Sequence, residues 1–184
     1  MAFERPGKIR LLDSAGLLQY AMRALTARAL SAGELRQKLE RRAEQPEYVR
    51  QVLERLKEYG YLDDRRFAEA YSTARLENEG FGKMRVLKDL SRRRVAPGLA
   101  RETVDRVFEG SDECALIQEY LRRKFRRVAL ETFLAEPRNL ASAYRRLRTA
   151  GFSAGNAIRV LKNYAAEAEL LDQIEEPGGE ETAG

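Results

Sequence analysis

One apolar pattern occurs three times in this chain of 184 residues, and it leaves few folds open. Leu35 and Leu39 are followed by Val49, Val52, Leu53 and Leu56. Val86 and Leu90 are followed at the same offsets by Ala100, Thr103, Val104 and Val107, and Ala143 and Leu147 by Ala157, Val160, Leu161 and Tyr164. Steps of four, ten, thirteen, fourteen and seventeen residues describe a short helix, a tight turn and a second helix that share one buried seam. A helical pair of this kind cannot bury its apolar face alone. Tandem copies therefore predict stacked units and an elongated all-helical array, the architecture of a surface that binds other macromolecules.

Punctuation agrees with the repeat. Ser31 and Glu34 make a capping box ahead of Leu35, Pro46 occupies a first-turn position, and Gly60 stops the following helix. Pro97 and Gly110 open and close the corresponding helix of the second copy, and Ser153 opens the last helix after Gly151. A further helix precedes each pair. The first runs from about Ser14 to Ala29, with Leu17, Leu18, Ala21 and Leu25 as its stripe. The second runs from Asp64 to about Asn78, with Phe67, Ala68, Tyr71 and Ala74. The third runs from Ser111 to about Val128, with Ile117, Leu121, Phe125 and Val128. The expected organisation is thus all-α: three-helix repeats over 14–62, 63–110 and 111–166, then an acidic tail over 167–184. A longer connection is expected around Pro137, and a weak extended stretch from Lys8 to Leu12. The tail, with Pro177-Gly178-Gly179 and only acidic charges, reads as disordered.

Charge is distributed unevenly. After Lys162 there is no Lys or Arg, and seven acids follow from Glu167 to Glu181. Residues 1–166 hold all 34 bases against the 22 remaining acids, a balance of +12, whereas the whole chain carries +5. A basic body with an acidic tail points to an anionic partner, nucleic acid first, with the tail as a competitor for the same surface; a solvated body with a solubility tail is the alternative.

Between the first two repeats stands the string Gly60-Tyr61-Leu62-Asp63-Asp64, continuing to Phe67-Ala68 and Gly80-Phe81-Gly82. It reads as a helix stop, an apolar Tyr-Leu plug and an Asp pair capping the next helix. This string, with Ser31-Ala32-Gly33-Glu34-Leu35 and Lys38-Leu39 before it and Arg85-Val86 and Lys88-Asp89-Leu90 after it, resembles the RecX family of bacterial recombination regulators. The resemblance extends over about 15–166 and is looser at Gly151-Phe152-Ser153 with Ile158. It implies tandem three-helix repeats in a cytoplasmic, monomeric, non-catalytic protein. Such a protein binds the RecA recombinase, chiefly as its filament on single-stranded DNA, and inhibits ATPase, filament growth and strand exchange, placing it in DNA repair and the SOS response. The residues themselves leave open a general nucleic-acid-binding helical protein that contacts phosphates without a recombinase.

Three basic clusters are the candidate contacts with DNA or the recombinase: Arg92, Arg93 and Arg94; Arg122, Arg123, Lys124, Arg126 and Arg127; and Arg145, Arg146 and Arg148. On a continuous helix the second cluster places like charges at i,i+4, which costs a few tenths of a kcal/mol per pair and is relieved by an anionic partner. Aromatic residues such as Tyr20, Phe67, Tyr71, Phe125 and Tyr164 fall on apolar stripes, so core packing is expected of them; Tyr48, Phe81 and Phe152 lie near helix ends. The chain has no histidine, the usual general base, and one cysteine, Cys114, so neither a disulfide framework nor a Cys-rich zinc site is available. No phosphate-binding loop motif occurs, and neither Asp63-Asp64 nor the tail has the spacing of a cation loop. No enzyme activity, metal or cofactor is expected. The first ten residues lack the apolar stretch of a secretory signal, and no apolar run has the length of a membrane span.

Overall fold

The computed structural model describes residues 11–165, and over these it is helical. The first repeat comprises α1 (Ser14–Ala27), α2 (Ala32–Glu40) and α3 (Pro46–Glu58). The second comprises α4 (Asp64–Ala74), extended by a π-helical turn at Arg75–Glu79, then α5 (Lys83–Arg92) and α6 (Pro97–Val107). The segment expected as a third three-helix repeat holds four helices instead: α7 (Glu113–Lys124), α8 (Leu130–Leu134), α9 (Pro137–Thr149) and α10 (Ala154–Leu161). The expected acidic tail and residues 8–10 lie outside the described residues. Leu12 is extended, as expected: its N–H donates to the Arg42 carbonyl (2.7 Å), and its carbonyl accepts from the Glu44 N–H (3.0 Å).

The repeated seam is the core. Of its eighteen positions only Val107 and Tyr164 are not fully buried. Each fully buried leucine in it contributes on the order of 2 kcal/mol. The described residues divide into two compact units, 11–71 with 89–103 and 72–88 with 104–165, so the helices of the middle repeat contribute to both. One core cluster gathers Leu17, Leu35, Leu39, Leu53 and Leu56 in the first unit. The other gathers Ile117, Leu121, Leu134, Leu147, Phe152 and Leu161 in the second.

The caps form largely as the sequence dictates. Ser31 and Glu34 make both halves of the capping box, Pro46 occupies the first turn of α3, and Ser153 caps α10. Gly60, with φ of 71°, is the left-handed stop of α3. Elsewhere tertiary contacts override the local pattern. Asp63 alone caps α4, accepting from the N–H groups of Arg65 and Arg66. Asp64 instead accepts the Ala32 N–H at the start of α2 (2.6 Å). In the predicted Tyr-Leu plug Leu62 is buried, but Tyr61 is 59 % exposed beside Tyr59. Helix α7 ends at Lys124 rather than near Val128, because Phe125 turns onto the ring of Phe133, 5.0 Å between centroids, and the chain leaves the helical path. Val128 is accordingly exposed instead of lying on a buried stripe. Pro137 is not a connector; it opens α9, and the extra length of the third repeat is spent on α8.

Two contacts tie the middle helices to their neighbours. In the first unit the start of α2 meets the end of α5. The Ser31 hydroxyl donates to the Arg93 carbonyl, Arg93 Nη1 donates to Glu34 Oε1 at 3.0 Å, and Gly33 has no Cβ to collide with the backbone of Arg94. In the second unit the start of α5 meets the end of α9. The Gly82 N–H donates to the Ala150 carbonyl (2.8 Å), the Met84 N–H to the Gly151 carbonyl (3.2 Å). Orphan donors at one helix start and orphan acceptors at another helix end satisfy each other, with the two dipoles head to tail.

Candidate functional site

The three predicted basic clusters meet different fates. Just past the end of α5, Arg93 is used internally. Its guanidinium pairs with Glu34, which also accepts from Arg28 (3.1 Å) and from the Ser31 N–H (3.3 Å), and it lies 5.4 Å from the Tyr71 ring centroid. Burial pushes the Glu34 carboxyl up, but the hydrogen bonds from Arg28, Arg93 and Ser31 outweigh it and hold the group below the ordinary carboxylate value. Arg92 is exposed, 3.7 Å from the carboxylate of Asp89, and Arg94 is exposed at a left-handed turn with φ of 58°. On α9, Arg148 turns inward and donates to the Phe152 carbonyl (2.6 Å), while Arg145 and Arg146 remain exposed.

The cluster at the end of α7 forms a site. Only Arg122, Arg123 and Lys124 lie on the helix; Arg126 and Arg127 lie in the turn beyond it, so the i,i+4 pairs Arg122–Arg126 and Arg123–Arg127 expected on a continuous helix are not helical neighbours. That turn closes a shallow pocket of about 410 Å³ lined by Arg123, Lys124, Arg126 and Arg127 together with Phe125, Val128 and Phe133. Among the described residues no acid pairs with any of the five cations. The last turn of a helix is where cations cost least, since they face its negative end. Arg146 reaches the same place from α9, its guanidinium 5.8 Å from the Phe125 ring centroid.

Two participants escaped the sequence reading. The Phe81 ring lies 5.3 Å from the guanidinium of Arg85 and 5.9 Å from that of Arg75, and is half-buried against the second core. Arg85, Arg123 and Arg146 all act electrostatically on the Tyr120 hydroxyl. Burial pushes that phenol up despite their opposing pull. The three arginines come from α5, α7 and α9, separated far too widely for any spacing rule to group them. Arg123 also packs beside Gly80, the left-handed residue after the π-helical turn. Such turns recur at functional positions.

Planar guanidinium groups around half-buried aromatic rings suit two kinds of ligand surface. They bind phosphate or carboxylate through paired N–H donors, and the rings take a flat apolar group. Elsewhere Glu113 is held below the ordinary carboxylate value: burial raises it, and the hydrogen bonds from Ser153 and Asn156 more than compensate. This carboxylate fastens the start of α10 to the start of α7 and takes no part in the arginine site. No three of His, Cys, Asp and Glu among the described residues are grouped to hold a metal ion, and no described helix is long and apolar enough to cross a membrane.

Comparison with known proteins bears on the whole chain. Residues 18–56 match the model of the first three-helix domain of RecX, and residues 63–104 match the second. Regulatory protein RecX from Deinococcus radiodurans is 37% identical over 172 residues, covering 94% of this chain and 79% of that protein. Regulatory protein RecX from Halorhodospira halophila is 44% identical over 85 residues, 46% of this chain and 52% of that protein. The crystal structure of RecX from Lactobacillus salivarius superposes with a TM-score of 0.60 at 16% identity, covering 88% of this chain and 97% of that one, and shares its fold. With a relative 37% identical over 94% of this chain, and both three-helix domain models matched, the chain belongs to the RecX family of regulatory proteins.

Proposed function

We propose that this protein restrains the RecA recombinase by binding its filament on single-stranded DNA, with the arginine site of the third repeat as the principal contact. The protein acts in the cytoplasm without catalysis of its own and limits ATP hydrolysis, filament growth and strand exchange. One observation carries the assignment of the surface. Arg123, Lys124, Arg126 and Arg127 surround a pocket lined by Phe125 and Phe133 with no acidic partner among the described residues, an arrangement that favours an anionic ligand. Arg146, over the Phe125 ring, adds to the positive site, and Arg122 and Arg145 are exposed cations of α7 and α9, while Arg93 and Arg148, tied into the protein's own structure, contribute through packing.

The test is the single-stranded-DNA-dependent ATPase of RecA, titrated with this protein from sub-stoichiometric to equimolar ratios. Inhibition is expected, and it is expected to weaken when Arg126 and Arg127 are both replaced by Glu. No inhibition at any ratio overturns the proposal. The aromatic floor of Phe125 and Phe133 favours a second reading, binding of bare single-stranded nucleic acid through stacking and phosphate contacts. Inhibition that disappears with excess free DNA selects that reading.

A further inference from the structure

The arginine pocket has a second anionic candidate within the same chain. The last described residue, Ala165, is buried in the core of the third repeat with Ile117 and Leu121, so the chain leaves from the same unit that carries the pocket. After Lys162 the sequence holds seven acids and no base, and residues 167–184 follow the exit directly. Eighteen residues reach up to roughly 60 Å when extended, whereas α7, twelve residues long, measures about 18 Å from end to end. The segment therefore reaches the pocket from either end of α7. Its partners there are complementary: four cations line the pocket, and none is paired with an acid among the described residues.

We propose that the segment 167–184 occupies the arginine pocket of its own chain when no other polyanion is bound, so that a nucleic-acid or filament ligand must displace it. The proposal rests on the reading of the pocket as an anion site. A tethered segment competes at an effective concentration in the millimolar range, high enough for weak ion pairs to hold it. Each contact is shallow and solvated, so the competition is screened by salt and yields to a ligand with more phosphates.

Lys124 gives a direct probe, because a carbodiimide joins a lysine amine to a carboxylate only across a contact. The full chain, treated alone without DNA or recombinase, is expected to yield Lys124 linked to a glutamate or aspartate of 167–184 by mass spectrometry, and to lose that link at high salt. In a mixture of isotopically light and heavy chains the link is expected within one chain. Links between light and heavy chains, or tail carboxylates joined only to lysines other than Lys124, overturn the proposal. As a second measurement, the acids from Glu167 to Glu181 are replaced by their amides and binding to labelled oligo-dT is followed at low salt. An affinity gain of about tenfold is expected, and it is expected to vanish when Arg126 and Arg127 are also replaced by Ala. Unchanged affinity on neutralising the tail overturns the proposal. The cross-linking arm contains no recombinase, so its failure alongside intact RecA inhibition rejects the tail contact alone.

Discussion

The two contacts that fasten the middle helices solve one problem with different chemistry. Where α2 meets α5, side chains make the contact: Ser31 reaches the Arg93 carbonyl, and Glu34 holds the Arg93 guanidinium. Where α5 meets α9, backbone meets backbone at Gly82, Ala150 and Gly151. Arg94 and Gly151 occupy the equivalent left-handed position after their helices, with φ of 58° and 92°. An arginine is tolerated at the first because only Gly33 must give room there. The second requires glycine on both sides, since a Cβ on Gly82 would meet the Gly151 backbone at 2.5 Å and one on Gly151 would collide with the backbone of Arg85. A repeat thus preserves the geometry of a junction while leaving its chemistry free. One junction depends on charge, and the other on the absence of side chains.

Gly151→Ala should break the backbone junction most severely. It adds a Cβ against backbone that has no free side-chain end to yield, and it forces a non-glycine residue to a left-handed φ. Overpacking and αL strain together predict a loss of about 3 kcal/mol, read by chemical denaturation. Gly33→Ala should cost less, about 2 kcal/mol, because its own φ is unstrained and only the Arg94 backbone must move. A Gly33→Ala cost equal to that of Gly151→Ala would erase the distinction drawn between the junctions.

Glu34→Gln tests the charge side of the comparison. At neutral pH it should cost on the order of 1–2 kcal/mol, since Arg28 and Arg93 lose a charge-assisted partner. The sign with pH follows from the direction of the shift. Glu34 is held below its ordinary value, so its contribution is complete above about pH 4.3, the unfolded value, and is lost as the pH falls through the folded value. The difference between wild type and Glu34→Gln should therefore shrink below pH 4, whereas the deficit of Gly151→Ala should persist. Glu113 is also held low, and it fastens α10 rather than either junction. Wild type should accordingly lose some acid stability even with Glu34 replaced.

Much of this was legible in the sequence, for reasons that differ by residue. The seam of Leu35, Leu39, Val52, Leu147 and Leu161 was readable because helical periodicity is a local property of the chain. The Ser31–Glu34 box was readable because both halves lie within four residues. Asp64 and Phe125 defeated the local reading: each had a local role available and took a tertiary partner instead, Ala32 and Phe133. The same turn at Phe125 removed Arg126 and Arg127 from the helix on which spacing had put them and built the pocket. Arg93 reads as a free surface cation in sequence, yet its partner Glu34 lies 59 residues away, beyond any rule based on neighbours.

Arg94→Gly is the smallest change and the sharpest test of what that arginine is for. Replacing a non-glycine residue at φ of 58° removes a strain of about 1 kcal/mol, while the added freedom of glycine stabilises the unfolded chain by roughly 0.4–1 kcal/mol. The two nearly cancel, and stability within about 0.5 kcal/mol of wild type is expected. Arg94 is not among the residues that line the α7 pocket, so inhibition of the RecA ATPase should also be unchanged. A stable Arg94→Gly protein that has lost inhibition would move the contact surface from the end of α7 to the end of α5. The charged junction would then be serving the partner as well as the fold.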